Sequence, residues 1–415
     1  MQLNLENYLT SFSLAGNIDL FDPCQKITQI ETLDISGERY PKYVNEYWTA
    51  KQRQSNAIHE IAYRACFKPE LPRFFIDLLT NPEDIVFDPF SGRGTTALEA
   101  GLLDRNIIAN DINPISKILT RSRFFVPDMV SLKKRLDSIP IMENGETDID
   151  LTMFYHPKTL NEIISIKRYL SDRQGSKKED ELDLWIRMVA TNRLTGHSKG
   201  FFSVYTLPPN QATSQEGQKK INNKLQQRPE YRDTKQLILG KTRSLMKDLT
   251  TDLIKRLKNV GISAQFLSED ARDLKKIDNN SVSLTVTSPP FLDIVQYAND
   301  NWLRCWFNSI EISKVEKKLT MSKKVEDWCS VMQDVFNELH RITKKRGHVA
   351  FEVGELRNGK IVLDEYVIPL GINSGFKCEG VMINQQVFTK TSNIWGVSNN
   401  KRGTNTNRIV LFKKG

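Results

Sequence analysis

The chain has 415 residues, more than one hydrophobic core usually organises, so two lobes are the starting expectation. With 39% apolar and 26% charged residues and a mean hydropathy of −0.44, no apolar run approaches the roughly 20 residues of a membrane span. Residues 1–14 lack the basic start and apolar stretch of a secretory signal, which makes the cytoplasm the expected compartment. The five cysteines (Cys24, Cys66, Cys305, Cys329, Cys378) are odd in number and have no C-x-x-C spacing. With five histidines in no H-E-x-x-H pattern, this argues against a disulfide framework and predicts no metal site. A formal charge of +9 and a pI near 9.1 favour a polyanionic partner.

In chain order, residues 84–87 read as a short buried strand, residues 88–94 as a glycine-containing loop and residues 95–103 as a helix. A second strand over 106–109 ends in Asn110-Asp111, and this order opens a parallel α/β sheet. About 140 residues then intervene before Gly261, too many for one strand-helix repeat, whose loops run about 2 to 6 residues. Within this insertion, residues 196–243 hold nine Lys or Arg against three Asp or Glu. Residues 281–287 are rich in β-branched side chains and stop at Ser288-Pro289-Pro290, where proline ends a central strand. Trp328, Val331, Met332, Val335, Phe336, Leu339 and Ile342 recur at helical spacing, and residues 348–353 read as the next strand. Apolar stretches over 381–387 and 408–412 are expected to complete the sheet as an antiparallel pair at one edge.

Two loops carry chemistry. The Gly92-x-Gly94 turn suits any tight strand-to-helix connection, and it also bares backbone for a nucleotide-like ligand. Asp111, 17 residues after Gly94, is placed to accept hydrogen bonds from ribose hydroxyls. No G-x-x-x-x-G-K-[ST] pattern supports an ATPase. In Ser288-Pro289-Pro290-Phe291, two prolines stiffen the backbone and withhold N–H donors. The Ser288 hydroxyl and the Pro289 carbonyl can then accept from a base amine while Phe291 stacks on the ring. A plain strand-ending turn uses Pro-Pro as well.

Asp88-Pro89-Phe90-Ser91-Gly92-Arg93-Gly94-Thr95-Thr96 resembles the cofactor loop of the DNA amino-methyltransferases, and Ser288-Pro289-Pro290-Phe291 resembles their catalytic tetrapeptide. Phe67-Lys68-Pro69-Glu70-Leu71 resembles the segment that closes over the methionine end of their cofactor. The resemblance covers residues from about 60 to 120 and from 262 onward, and leaves residues 1–41 uncovered. It implies a Rossmann-like class I S-adenosylmethionine-dependent methyltransferase sheet, α/β in class, with an inserted, largely helical basic module. It further implies S-adenosylmethionine as cofactor, with Lys68, Pro69, the loop residues, Asp111 and Asp270 around it. Asp88 would face the amino group of the cofactor, Asp111 the ribose and Asp270 the adenine amine. The Ser-Pro-Pro-aromatic form is associated mostly with N4 of cytosine, the Asp- or Asn-Pro-Pro form with N6 of adenine. Double-stranded DNA with a flipped base, a cognate restriction endonuclease and a bacterial or archaeal cytoplasm belong to the same implication.

The domains expected are an N-terminal extension (1–44), a catalytic domain (45–140 and 255–415) and an inserted target-recognition region (141–254). Within and beyond the insertion, Lys199, Tyr205, Lys219, Lys220, Lys224, Arg228, Arg232, Lys401 and Arg402 are candidate DNA contacts, the basic ones for phosphates. For each, a solvated basic surface is the competing reading. The Pro23-Cys24-Gln25 tripeptide of cytosine C5 chemistry precedes the cofactor loop, the wrong order for a covalent mechanism. An RNA guanine-N2 methyltransferase and a non-catalytic DNA-recognition subunit are the remaining alternatives. The former lacks a recognisable RNA-binding appendage, and the latter leaves the two loops without a role.

Overall fold

A computed structural model describes residues 4–14, 28–48, 55–64, 66–143, 145–207, 212–290, 297–316, 324–356, 361–385 and 406–415. Its strands are β1 (Gln29–Ile35), β2 (Glu38–Asn45), β3 (Ile85–Asp88), β4 (Asn106–Asn110), β5 (Gln265–Leu267), β6 (Val282–Thr287) and β7 (Thr343–Val353). The short pair β8 (Glu355–Leu356) and β9 (Ile361–Val362) precedes β10 (Phe376–Gln385) and β11 (Thr406–Lys414). The helices are α1 (Leu5–Thr10), α2 (Glu70–Leu79), α3 (Thr95–Leu102), α4 (Pro114–Arg121), α5 (Met129–Ser138), α6 (Pro157–Gly175) and α7 (Glu181–Arg193). They continue as α8 (Gln215–Leu225), α9 (Thr234–Met246), α10 (Thr251–Ser263), α11 (Tyr297–Phe307), α12 (Ile312–Glu316), α13 (Val325–Ile342) and α14 (Leu363–Asn373).

Nine of these strands form one sheet in the order β1-β2-β10-β11-β7-β6-β3-β4-β5. Strands β5, β4, β3, β6 and β7 are mutually parallel, as expected for a Rossmann-like α/β sheet, and β11 lies antiparallel between β7 and β10. All six residues of β6 are buried, which is why its sequence is a continuous β-branched and apolar run rather than an alternating one. The chain runs outward from β3 to β5 and returns to β6 beside β3. That reversal opens a crevice at the carboxyl ends of β3 and β6, where open α/β sheets hold ligands.

The antiparallel pair expected at an edge is interior. Strand β2 pairs in parallel with β10, from Lys42 opposite Val381 to Asn45 opposite Asn384, and β1 closes the sheet beyond it. Residues 29–35 and 38–44, set apart as part of an N-terminal extension, therefore belong to the sheet. A backbone edge left open on β10 is a liability, and a short hairpin from the start of the chain covers it.

The segment 141–254 holds α6, α7, α8 and α9 and the start of α10. Its buried Phe154, Ile163, Trp185, Ile186 and Ile238 share one apolar cluster with Leu98 of α3, Ile115 of α4 and Val286 of β6. The insertion is thus packed through the same core as one face of the sheet. The other face is covered by α13 and α14 through Trp328, Met332, Phe336, Leu339, Val367 and Ile368. Among the described residues no helix is long and apolar enough to cross a membrane.

Candidate cofactor and catalytic site

The glycine loop leaves β3 with Asp88 and enters α3 at Gly94, the N-cap residue. Gly92 and Gly94 sit at φ +51° and +76°, where a side chain is strained. A Cβ on Gly94 would lie 2.3 Å from Thr120 Oγ1 of α4, and one on Gly92 would lie 3.4 Å from the Tyr63 ring. The loop is therefore bare and also tightly backed. The Ser91 N–H donates to the Asn110 carbonyl at 2.9 Å, the Ser91 hydroxyl to the Asp88 carbonyl at 3.0 Å, and the Gly94 N–H to the Ser91 carbonyl at 2.6 Å.

Asp111 follows β4 and is buried. Its carboxylate accepts the Gly92 N–H at 2.8 Å and the Asn113 N–H at 2.9 Å. Burial raises its carboxyl to about 6, against the pull of these two hydrogen bonds. At neutral pH it is an acceptor fixed against the glycine loop, which suits hydroxyl donors. Asn110 ties the loop to the next segment, donating to the carbonyls of Pro89 (3.2 Å) and Glu269 (3.0 Å). Asp270, expected to meet the adenine amine, has its carboxylate held by Arg272 at 2.6 Å and stands 36% exposed. Lys68 is half-buried and Pro69 caps α2. The neighbouring Phe67 carbonyl accepts from Arg93 of the glycine loop at 3.5 Å, so this segment and the loop are joined.

The two loops meet through Asp88. Its Oδ1 accepts the Thr287 hydroxyl at 2.7 Å and the Phe90 N–H at 3.1 Å, while the Thr96 hydroxyl donates to the Val286 carbonyl at 3.1 Å. Thr95 Oγ1 accepts from Arg93 Nε at 3.2 Å. Burial is the largest influence on Asp88 and raises its carboxyl to about 7, with Asp111 adding to the rise. Unfolded, the same carboxyl titrates near about 3.9. The folded state therefore binds more protons between these values, and stability present in acid is lost as pH rises through 7. Asp88→Asn is accordingly expected to gain about 1–3 kcal/mol relative to the wild type between pH 5 and pH 8. Urea unfolding at both pH values measures this; a constant gap would mean that Asp88 is already ionised at pH 5.

Ser288 is half-buried, Pro289 is buried and Pro290 is half-buried. The Pro290 carbonyl accepts from Trp328 Nε1 of α13 at 3.1 Å, which fixes the Pro-Pro turn against the helix. Thr287 is registered opposite Phe351, which sets Ser288 beside Glu352 of β7, and the Glu352 carboxylate accepts from Asn407 Nδ2 of β11. Phe291 lies outside the described residues, as do Lys401, Arg402 and Cys24.

The sequence reading missed Glu352, Asn407 and Thr287, and also Arg123, which is wholly buried and donates to the carbonyls of Ile58, Leu119 and Arg93. A signal existed for Glu352: it is the one carboxylate in the run Val349-Ala350-Phe351-Glu352-Val353, whose other members are all buried and apolar.

The candidate DNA contacts fall into two groups. Lys199 is exposed at the tip of a loop closed by the bridge between Gly196 and Tyr205, and Lys220, Lys224 and Arg228 are exposed on and after α8. Lys219 stands 3.9 Å from Asp150, with both side chains more than half exposed. Tyr205 is half-buried, and its carbonyl accepts from Gln218 and Gln227. Arg232 departs from the expectation of a phosphate contact. Its Nη1 donates to the carbonyls of Ser198 (3.2 Å), Phe201 (2.8 Å) and Ser203, so it braces the loop from within. Among the described residues no group of three His, Cys, Asp or Glu is placed to hold a metal.

A sequence model of the DNA methylase family matches residues 24–119, the stretch that contains the glycine loop and Asp111. In that stretch the chain is similar to the DNA methylases. Among similar proteins, the Type II methyltransferase M.BsoBI of Geobacillus stearothermophilus is 23% identical over 353 residues, 76% of this chain and 65% of that one. The Type II methyltransferase M.PvuII of Proteus hauseri is 37% identical over 87 residues, 21% of this chain and 25% of its own. The chain thus spans less than two-thirds of the length of either relative. Among solved structures, the rRNA methyltransferase aviRa of Streptomyces viridochromogenes is 12% identical with a TM-score of 0.35, covering 89% of this chain and 94% of that one.

Proposed function

We propose that this chain is an S-adenosylmethionine-dependent DNA methyltransferase that modifies the exocyclic amine of a flipped base, with N4 of cytosine the favoured target. The observation that carries this reading is the bond from Thr287 to Asp88, which holds the glycine loop and the Ser288-Pro289-Pro290 loop side by side at the crevice. The match of residues 24–119 to the DNA methylase model and the similarity to Type II methyltransferases support it.

The residues fit the cofactor: the glycine loop presents backbone rather than side chains, and Asp88 and Asp111 are buried acceptors beside it. When bound, S-adenosylmethionine supplies an electrophilic sulfonium methyl. Asp111 would accept its ribose hydroxyls, and Asp88 would face its amino group. The Ser288 hydroxyl and Pro289 carbonyl accept the amine hydrogens of the base, so that the nitrogen lone pair is drawn out of the ring and turned toward the methyl. Phe291 is assigned the stacking role, offsetting part of the few kcal/mol that extrusion costs. Lys199, Lys220, Lys224 and Arg228 supply phosphate contacts on duplex DNA. Ser288, in place of an Asp or Asn, favours cytosine over adenine, and a cognate restriction endonuclease is the proposed biological partner.

The test is incubation of the full chain with S-adenosylmethionine and either unmethylated genomic DNA or total tRNA, followed by nucleoside mass spectrometry. N4-methylcytosine in DNA is expected, falling about a hundredfold or more in Ser288→Ala. N6-methyladenine would keep the reaction and change the base, whereas product in tRNA alone would overturn the DNA reading.

A further inference from the structure

Glu352 stands one residue before the end of β7, at the carboxyl edge of the sheet, between buried Phe351 and Val353. It is 9% exposed, opposite Ile409 of β11. Asn407, two residues before Ile409 and on the same face of that strand, donates its amide to Glu352 Oε1. On the other side, Thr287 of β6 is registered opposite Phe351, which sets the Ser288 hydroxyl beside the same carboxylate. Burial raises the Glu352 carboxyl to about 7, with the neutral side chains of Asn407 and Ser288 acting against the rise.

That arrangement is unlike another buried carboxylate nearby. Asp364 is also fully buried, but Arg408, the residue after Asn407, meets it at 2.7 Å. A buried carboxylate that only holds structure together is normally paired with a cation in this way. Glu352 instead meets the neutral Asn407 amide and neighbours the Ser288 hydroxyl, which belongs to the loop that would grip the base. Asn407 in turn is registered opposite Asn384, whose Oδ1 accepts the Tyr47 and Trp48 N–H groups at 2.7 and 3.3 Å. The carboxyl therefore sits in a framework built from four strands.

We propose that Glu352 is the positioning residue of the catalytic loop: held by Asn407, it accepts the Ser288 hydroxyl hydrogen and so turns the lone pairs of the Ser288 oxygen toward the target amine. This rests on the methyltransferase reading above. The proton balance follows from the same contacts. As the amine nitrogen bonds to the methyl carbon, the carbon–sulfur bond breaks and sulfur keeps the electron pair. The methylated nitrogen then gives one proton to the Ser288 oxygen, and the Ser288 hydroxyl proton passes to Glu352, which returns it to solvent.

Two measurements on the full chain test the assignment. The first is steady-state methylation of unmethylated genomic DNA by the wild type, Glu352→Gln, Ser288→Ala and the double variant. Glu352→Gln is expected to lower kcat about tenfold or more, with KM for S-adenosylmethionine within about twofold and no further loss on adding it to Ser288→Ala. The second needs neither DNA nor cofactor: carbon-13 NMR titration of labelled glutamate carboxyls, in which Ser288→Ala should shift the Glu352 midpoint upward. If Glu352→Gln does not melt cooperatively, Asn407→Ala replaces it with the same expected non-additivity. Multiplicative losses in the double variant, an unchanged kcat or an unmoved midpoint would overturn the inference while leaving the methyltransferase reading intact. Absence of any methylated base with the wild-type chain would instead sink that reading, and this inference with it.

Discussion

Gly94→Ala is expected to destabilise the protein by about 2–5 kcal/mol, a large fraction of what a domain possesses. Two costs add. The residue sits at φ +76°, where a side chain costs about 1–2 kcal/mol. A Cβ there would also lie 2.3–2.8 Å from three side-chain atoms of Thr120, and such overpacking costs typically about 1–3 kcal/mol. Thr120 is itself buried on α4, so it has little room to retreat. Gly240→Ala is the matched control: Gly240 lies on α9 with open space where its Cβ would be, and alanine there should stabilise by about 0.5–1 kcal/mol. Urea unfolding of the two variants beside the wild type measures both. Equal midpoints would show that the loop yields easily to a side chain.

Arg123→Ala is expected to cost a similar about 3–5 kcal/mol, for an electrostatic rather than a steric reason. The guanidinium is 0% exposed and donates to the Leu119 carbonyl at 2.9 Å, the Ile58 carbonyl at 3.1 Å and the Arg93 carbonyl. Burial pulls its pKa well below the usual value, with Arg93 adding to the fall. Removing it strands three carbonyls and leaves a cavity between the glycine loop and the segment before α2. Arg123→Met should restore part of the packing but none of the hydrogen bonds, so it should lie between alanine and wild type in a thermal melt. Because Arg93 belongs to the glycine loop, both variants should also weaken S-adenosylmethionine binding in calorimetry, at a temperature where they remain folded. Unchanged affinity would show that the loop holds its shape without Arg123.

What could be read from the sequence were features written within a few consecutive residues. The glycine loop, the strand-ending Pro-Pro and the buried β-branched run of β6 each announce themselves locally, because turn chemistry and continuous burial leave contiguous signatures. Glu352 was not legible as a neighbour of Ser288, nor Asn407 as a partner of Glu352, since they come together only through the pairing of β6, β7 and β11. The docking of β2 on β10 was hidden for the same reason. Arg232 shows a different limit: its charge counts toward a basic surface, whereas its geometry turns the guanidinium inward onto loop carbonyls. Asp270 likewise carries the right residue type, and its nearest partner is Arg272.

The parallel pairing of β2 with β10 has a consequence for how the chain is made. Asn45 emerges from the ribosome 339 residues before its partner Asn384 (384 − 45), and at roughly 5–20 residues per second that separation lasts about 20–70 s. During that interval the β1–β2 hairpin has no sheet to join. Its apolar Tyr43, 1% exposed in the folded protein, must wait without its final neighbours, so these sheet contacts close only after β10 has been made. Folding of this protein should accordingly be slow and sensitive to chaperone supply, with the N-terminal hairpin the last element to become protected from hydrogen exchange.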